Sequence, residues 1–206
     1  MKGPHFKFEQ THWDRGLKFV GGADEVGRGA FAGPVVAAIV IFPPFIKPEV
    51  EIKDSKKLSI KKRVEADIWI RQNASFFAIC RSSVAYINKY GIGPATHKAF
   101  MSAAGQLSCN LEHLIVDGRE VVKKIKVSQT PIIKGDEQSL SVAAASILAK
   151  VYRDNLMREL ATKTPYQMYG WESNVGYGTR YHCEAIKKYG ACKLHRRVFI
   201  RNYLAF

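Results

Sequence analysis

The sequence contains no CxxC pair. Its four cysteines (Cys80, Cys109, Cys183, Cys192) and six scattered histidines fall at no zinc-ligand spacing, which argues against a structural zinc. Thiols in this arrangement suit a reducing compartment. Long apolar runs are also missing: the stretch from Val35 to Ile46 is broken by Pro43 and Pro44 and is too short to span a bilayer. The opening residues, Met1-Lys2-Gly3-Pro4-His5, lack the apolar stretch of a signal peptide. A soluble, cytoplasmic protein that makes no use of a membrane is expected. Acidic residues are scarce as well, with 18 Asp and Glu against 32 Lys and Arg, a net charge of +14. Such an excess points to a polyanionic partner, and nucleic acid is the leading class.

What is present is organised around residues 19–42. A short apolar approach ends in adjacent acids, Asp24 and Glu25; Gly27, Arg28 and Gly29 interrupt it; an apolar, β-branched run then follows from Val35 to Phe42. The pattern predicts two strands about a glycine-bearing turn. Alternation along the first strand sends Asp24 and Glu25 to opposite faces, so one of them enters a packing layer or a cleft. An unpaired carboxylate is costly there, and a divalent cation would remove that cost.

Further along, Ser59 is placed to cap a helix running to about Asn73, with Val64, Ile68 and Trp69 on its apolar side. Residues 75–87 read as a strand, and a helix is expected over about 95–107. Leu111 to Asp117-Gly118 and Pro131 to Asp136 each read as a short apolar strand followed by a glycine and an acid. A long helix from about Gln138 to Lys163 buries Leu140, Ala144, Ile147, Leu148, Val151 and Leu156, and its Ala143-Ala144-Ala145 run permits close approach to a sheet. Another helix is expected from Thr179 to Tyr189, with a basic tail around His195-Arg196-Arg197. No repeat, low-complexity tract or domain boundary is visible in the 206 residues. Hairpin strands followed by alternating strands and helices indicate an α/β fold with a mixed central sheet and flanking helices.

Three predicted strands thus end in acids: Asp24-Glu25, Asp117 and Asp136. Taken singly, Asp117-Gly118 is a turn pair and Asp136 a helix cap. Taken together in so basic a chain, four acids at strand ends suggest one ligand-binding edge. A carboxylate cluster without Cys or His fits Mg²⁺ or Mn²⁺, and hence metal-assisted attack on a phosphodiester.

Gly22-Ala-Asp24-Glu25-Val-Gly27-Arg28-Gly29, continuing through Gly33-Pro34-Val-Val, resembles the opening signature of ribonuclease HII. Asp54-Ser-Lys-Lys-Leu-Ser59, Val116-Asp117-Gly118, Lys134-Gly-Asp136, Ala143 to Asp154, and Gly176-Tyr-Gly-Thr179 followed by His182 resemble its later blocks, in order, from about residue 20 to 198. The resemblance implies a ribonuclease H-like fold forming one catalytic domain over residues 1–206. Its core would span about 18–165, with a helical substrate-binding extension over about 166–206. It implies endonucleolytic cutting of RNA in RNA–DNA hybrids and at single ribonucleotides in duplex DNA, leaving 3′-hydroxyl and 5′-phosphate ends, by a monomer. The family's acids fall on Asp24, Glu25, Asp117 and Asp136, which would hold two ions of Mg²⁺ or Mn²⁺, with Asp24 shared between them. Its ribose-reading turn falls on Gly27, Arg28 and Gly29, and Tyr177 would stack where RNA meets DNA. Lys56 and Lys57 would contact phosphate, while Lys150 and Arg153 fit either phosphate contacts or solvated flanks. Three readings compete. One is the sibling ribonuclease HIII, whose turn departs from glycine–arginine–glycine. Another is a binding-only protein on the same fold, which intact acids oppose. The third is another nuclease of the broad superfamily, such as a junction resolvase, which the 2′-hydroxyl-reading residues oppose. The closing Asn202 to Phe206 lacks the glutamine pattern of a clamp-binding tail.

Overall fold

The computed structural model describes residues 3–204; the last two residues of the closing pentapeptide lie outside that range. The strands are β1 (Val20–Val26), β2 (Val35–Ile41), β3 (Phe76–Ser82), β4 (His113–Asp117) and β5 (Ser128–Ile132). They form one mixed sheet in the order β3-β2-β1-β4-β5. β1 is its pivot, antiparallel to β2 and parallel to β4, and β5 runs parallel to β4. The C-terminal ends of β1, β4 and β5 therefore share one edge, where acids carried by separate strands can meet.

Both faces of the sheet are covered, which explains why β2 is apolar at every position. Val36, Ala38 and Val40 pack against α2 (Ile60–Asn73) and α5 (Leu140–Ala161). Ala37 and Ile39 pack against Ala99, Phe100 and Ala103 of α4 (Ile92–Gln106). Small residues bring α5 close to β1: a Cβ on Gly22 would lie 2.2 Å from the Ser141 main chain, and Ala143, Ala144 and Ala145 are fully buried. The Ser139 hydroxyl caps α5 by accepting from Val142 N–H at 3.2 Å.

Ahead of the sheet, α1 (Lys7–Trp13) lays the buried Glu9 carboxylate against the start of α5, where it accepts from Ser139 Oγ (2.6 Å) and Ser141 N–H (3.0 Å). After α5 come α6 (Trp171–Asn174), α7 (Arg180–Tyr189) and α8 (Arg197–Ile200). They pack around Trp171, Tyr169 and Ile200 and against Ala32 and Met157. Among the described residues no helix is long and apolar enough to cross a membrane.

Several expectations need correcting. The strand expected over 75–87 stops at Ser82, because the Ser83 hydroxyl accepts from Tyr86 N–H and starts α3 (Val84–Tyr90). On the expected apolar side of α2, Val64 and Ile68 face solvent at 45% and 51% exposure, while Trp69 is buried as expected. The helix docks through Trp69 together with Ala66 and Ile70. The larger Trp69 and Ile70 side chains bury more apolar surface, and that area decides the rotation. On α5, Val151 and Leu156 are only half-buried, while Arg153 and Asp154 are enclosed. The expected basic tail is not a tail, since His195 and Arg196 are buried.

Candidate active site

β1 and β4 and the turn after β5 deliver the four acids to the shared edge. Asp24 and Glu25 lie in the last turnable stretch of β1, and Asp117 closes β4. Asp136 sits four residues beyond β5, in a 3-10 turn over Gly135–Glu137. It does not cap α5, since Ser139 fills that role. Lys134, at φ 56°, turns the chain so that Gly135 N–H donates to Asp117 Oδ1 at 2.7 Å, tying the third acid's support to the fourth acid's turn.

A cavity of about 400 Å³ is lined by Asp24, Glu25, Asp117 and Asp136 together with Gly27, Arg28, Lys56 and Tyr177. Alternation separates Asp24 from Glu25, yet both reach this space because it lies at the end of the sheet. Gly29 is not among the lining residues. It sits at the exposed tip of the turn, where a Cβ would meet nothing within 4 Å. Gly27, by contrast, has φ 91°, and a Cβ there would lie 2.2 Å from Arg153 Nε. Only glycine fits that conformation and that gap.

The electrostatics are unfavourable without a cation. Asp24 is buried, and its carboxyl is pushed well above the usual range, first by burial and then by the charges of Glu25 and Asp117. Its Oδ1 accepts from Glu25 N–H at 2.7 Å. Burial also raises Glu25, opposed by Arg28, whose exposed guanidinium donates to Glu25 Oε1 at 3.2 Å. Asp136 is raised by burial and by Asp54 and Asp117, with Lys56 pulling the other way. Among the described residues no three His, Cys, Asp or Glu side chains already form a closed ligand cluster. The donor set nonetheless fits a hard divalent ion: it is all carboxylate oxygen, and it includes a buried acid whose repulsions a cation would relieve.

The basic and aromatic residues divide. Asp54 bends the chain by accepting from Lys56 N–H at 2.9 Å, which leaves the Lys56 side chain 77% exposed over the cavity rim. Lys57 turns away to Glu137 Oε1 at 2.7 Å. Tyr177 follows two left-handed residues, Val175 and Gly176. Its ring lies 5.8 Å from Lys150 Nζ and 5.2 Å from Arg153 Cζ, and its carbonyl accepts from His182 Nδ1 at 2.9 Å. Lys150 lines the cavity and pairs with Asp154 at 2.9 Å. Arg153 is fully buried, so it is neither a phosphate contact nor a solvated flank. Two hydroxyls escaped notice in the sequence: Ser55 and Ser146 meet at 3.1 Å in the cavity wall. A serine on the otherwise apolar buried face of α5 was the available signal. Beyond Glu25, Arg28 and Asp117 the cavity passes into a second hollow of about 440 Å³, reaching Gly93, His97 and Arg119.

Known proteins share this arrangement of elements. The model of the ribonuclease HII family matches residues 21–202. A ribonuclease HII from Thermosynechococcus vestitus is 43% identical over 197 residues, covering 96% of this chain and 91% of that one. The crystal structure of the ribonuclease H2 from Pyrococcus horikoshii superposes with a TM-score of 0.75 at 24% identity, over 89% of this chain and 96% of that one. The crystal structure of Bst-RNase HIII in complex with Mn²⁺ gives a TM-score of 0.59 at 17% identity, over 88% of this chain and 64% of that one. The last two likenesses speak for the ribonuclease H-like fold.

Proposed function

The chain belongs to the ribonuclease HII family, and from that premise we propose that it hydrolyses the RNA strand of RNA–DNA hybrids and incises duplex DNA at single embedded ribonucleotides, leaving 3′-hydroxyl and 5′-phosphate ends. The observation that carries this reading is the meeting of four carboxylates, the glycine–arginine turn, Lys56 and Tyr177 around one cavity. The net charge of +14 and the second hollow continuing past Asp117 suit a long polyanion better than a small substrate.

Asp24, Glu25, Asp117 and Asp136 are the residues that would hold two divalent cations, Mg²⁺ or Mn²⁺. Such ions supply an activated water and stabilisation of the leaving 3′-oxygen. The protein's own part is positional. Asp24, flanked by the other three acids, is the carboxylate best placed to be shared. The exposed ammonium of Lys56 offsets the charge of an incoming phosphate. Gly27 and Arg28 line the cavity and Gly29 is exposed beside it, so backbone groups of this turn can pair with a 2′-hydroxyl, the atom that separates RNA from DNA. Tyr177, whose ring lies near Lys150 and Arg153 and lines the cavity, would stack on the sugar where RNA meets DNA. We assign one catalytic domain with a substrate-binding extension from about residue 166, acting as a cytoplasmic monomer.

The test is a labelled duplex containing one ribonucleotide, incubated with purified protein and Mg²⁺ beside an all-DNA control. Incision at the ribonucleotide in the first duplex alone is expected. Equal cutting of both, or of neither, defeats the reading.

A further inference from the structure

Behind the glycine–arginine turn lie two fully enclosed cations, Arg153 and Arg196. Neither forms an ion pair among the described residues. The adjacent Asp154 bonds to Lys150 instead and acts on Arg153 only at a distance. Both guanidinium forks end on main-chain carbonyls. Arg196 donates through Nε to Gly33 O at 2.9 Å and through Nη1 to Arg28 O at 2.8 Å. Arg153 donates to Pro34 O (3.0 Å), Ala32 O (2.9 Å) and Val175 O (2.9 Å). Four of these five acceptors belong to residues 28–34, and the fifth lies two residues before Tyr177. The strip is closed by Phe31 N–H donating to Gly176 O at 2.8 Å.

Enclosing a guanidinium without a counter-ion is costly, and an apolar side chain would fill the space without that cost. Arg196 also leaves Nη2 buried with no partner. What only arginine supplies is a rigid planar fork that reaches two carbonyls at a fixed separation. Because the peptide is planar and trans, pinning Arg28 O inward aims the N–H of Gly29, on the opposite side of the same plane, outward. Gly29 is exposed, and among the described residues its N–H meets no main-chain acceptor.

We propose that Arg196, seconded by Arg153, is a positioning residue for ribose selection. It fixes the Arg28–Gly29 peptide so that its outward N–H stands at a set place relative to Tyr177. Two halves of the ribose-reading surface, from opposite ends of the chain, are thereby tied to one joint. The inference rests on the ribonucleotide-cutting activity proposed above.

Arg196→Lys keeps the charge and one donor, but a single ammonium does not reproduce the fork. Its kcat/KM on the single-ribonucleotide duplex should fall roughly tenfold or more, because a misplaced contact group costs rate even when the reacting atoms are untouched. Its Kd for an all-DNA duplex and its melting midpoint should stay near those of the wild type. Full activity overturns the proposal, and so does a loss shared equally by all-DNA binding and thermal stability, which marks a residue that only holds the fold. Should Arg196→Lys not fold, Gly29→Pro removes the aimed N–H at an exposed site where a Cβ would meet nothing within 4 Å. That variant should lose ribonucleotide cutting to a similar degree while keeping DNA affinity, and a folded, fully active Gly29→Pro overturns the proposal. A wild type that fails to cut the ribonucleotide duplex indicts the proposed function, not the joint.

Discussion

Asp24 and Arg153 are buried a short way apart around the same turn, yet their charges meet opposite surroundings. Around Arg153 every donor group has a carbonyl at 2.9–3.0 Å. Around Asp24 the charged neighbours are other acids, and the Glu25 main-chain N–H with the Ser146 hydroxyl offsets their repulsion only in part. In the joint the guanidinium donors meet carbonyls, Arg196 Nη2 excepted, whereas the cavity is left in electrostatic debt that a cation would settle. Buried charge alone therefore does not mark the reacting centre. Buried charge whose partners share its sign does.

The largest expected effect breaks the cavity side of that contrast. Asp24→Asn preserves shape while removing a charge at the centre of the four acids, and cleavage with Mg²⁺ should fall by on the order of a thousandfold, with duplex binding largely kept. Single-turnover rates and duplex affinity, measured side by side, check this; near-wild-type turnover would remove Asp24 from the centre of the site.

The next concerns charge outside both regions. If about six phosphates are contacted, log K for duplex binding should fall with log salt at a slope of about −5, or roughly a thousandfold between 50 and 200 mM. A flat titration would mean that the basic excess does not form the binding surface.

Tyr177 stands between cavity and joint, and its substitution sharpens the border. Stacking on an aromatic ring is worth roughly 1–3 kcal/mol, so Tyr177→Ala should lower kcat/KM on single-ribonucleotide duplexes about ten- to a hundredfold. A long hybrid should respond by a different factor. An unchanged single-ribonucleotide rate would make Tyr177 a packing residue.

The smallest effect reads the strain in the cavity. Asp24 has its carboxyl raised in the fold by burial first and by neighbouring acids second. The folded state thus holds its proton at pH values where the unfolded chain has lost it. Stability of the metal-free protein should fall as pH rises from the ordinary aspartate range, about 3.9, through the raised value, and the penalty is complete above it. In EDTA at neutral pH, Asp24→Asn should melt higher than wild type, and the difference should vanish toward pH 4. Added Mg²⁺ should raise the wild-type midpoint and not that of the variant. An Asn variant that melts lower in EDTA would show that the carboxylate is already well satisfied.

Much of the framework was legible because local rules and the fold agree. Ser59 caps the helix expected after it, since an N-cap needs only neighbours three residues away, and the helices expected from about Gln138 and Thr179 begin within two residues of those positions. β2 was readable from its β-branched run, as burial on both faces leaves no room for alternation. The four acids were legible as a set, and the structure brings all four to one cavity. The misreadings were longer in range. Val64 and Ile68 made as good a stripe as Ala66 and Ile70, and only the surface offered by α5 chose between them.

The sequence by itself determined which residues can carry the chemistry: carboxylates without thiol or imidazole, glycines that admit close approach, and a net positive charge. It determined the main strands and the long helices too, through caps and periodicity, though not the short helices α3 and α8. Only the tertiary structure decided what each charge faces. Arg153 and Arg196 read as surface cations because nothing within several residues of them explains burial. Their partners at Arg28, Ala32, Gly33 and Pro34 lie more than a hundred positions away. Charge is a property of the residue, but its cost depends on dielectric and on partners, and those exist only once distant segments of chain have been brought together.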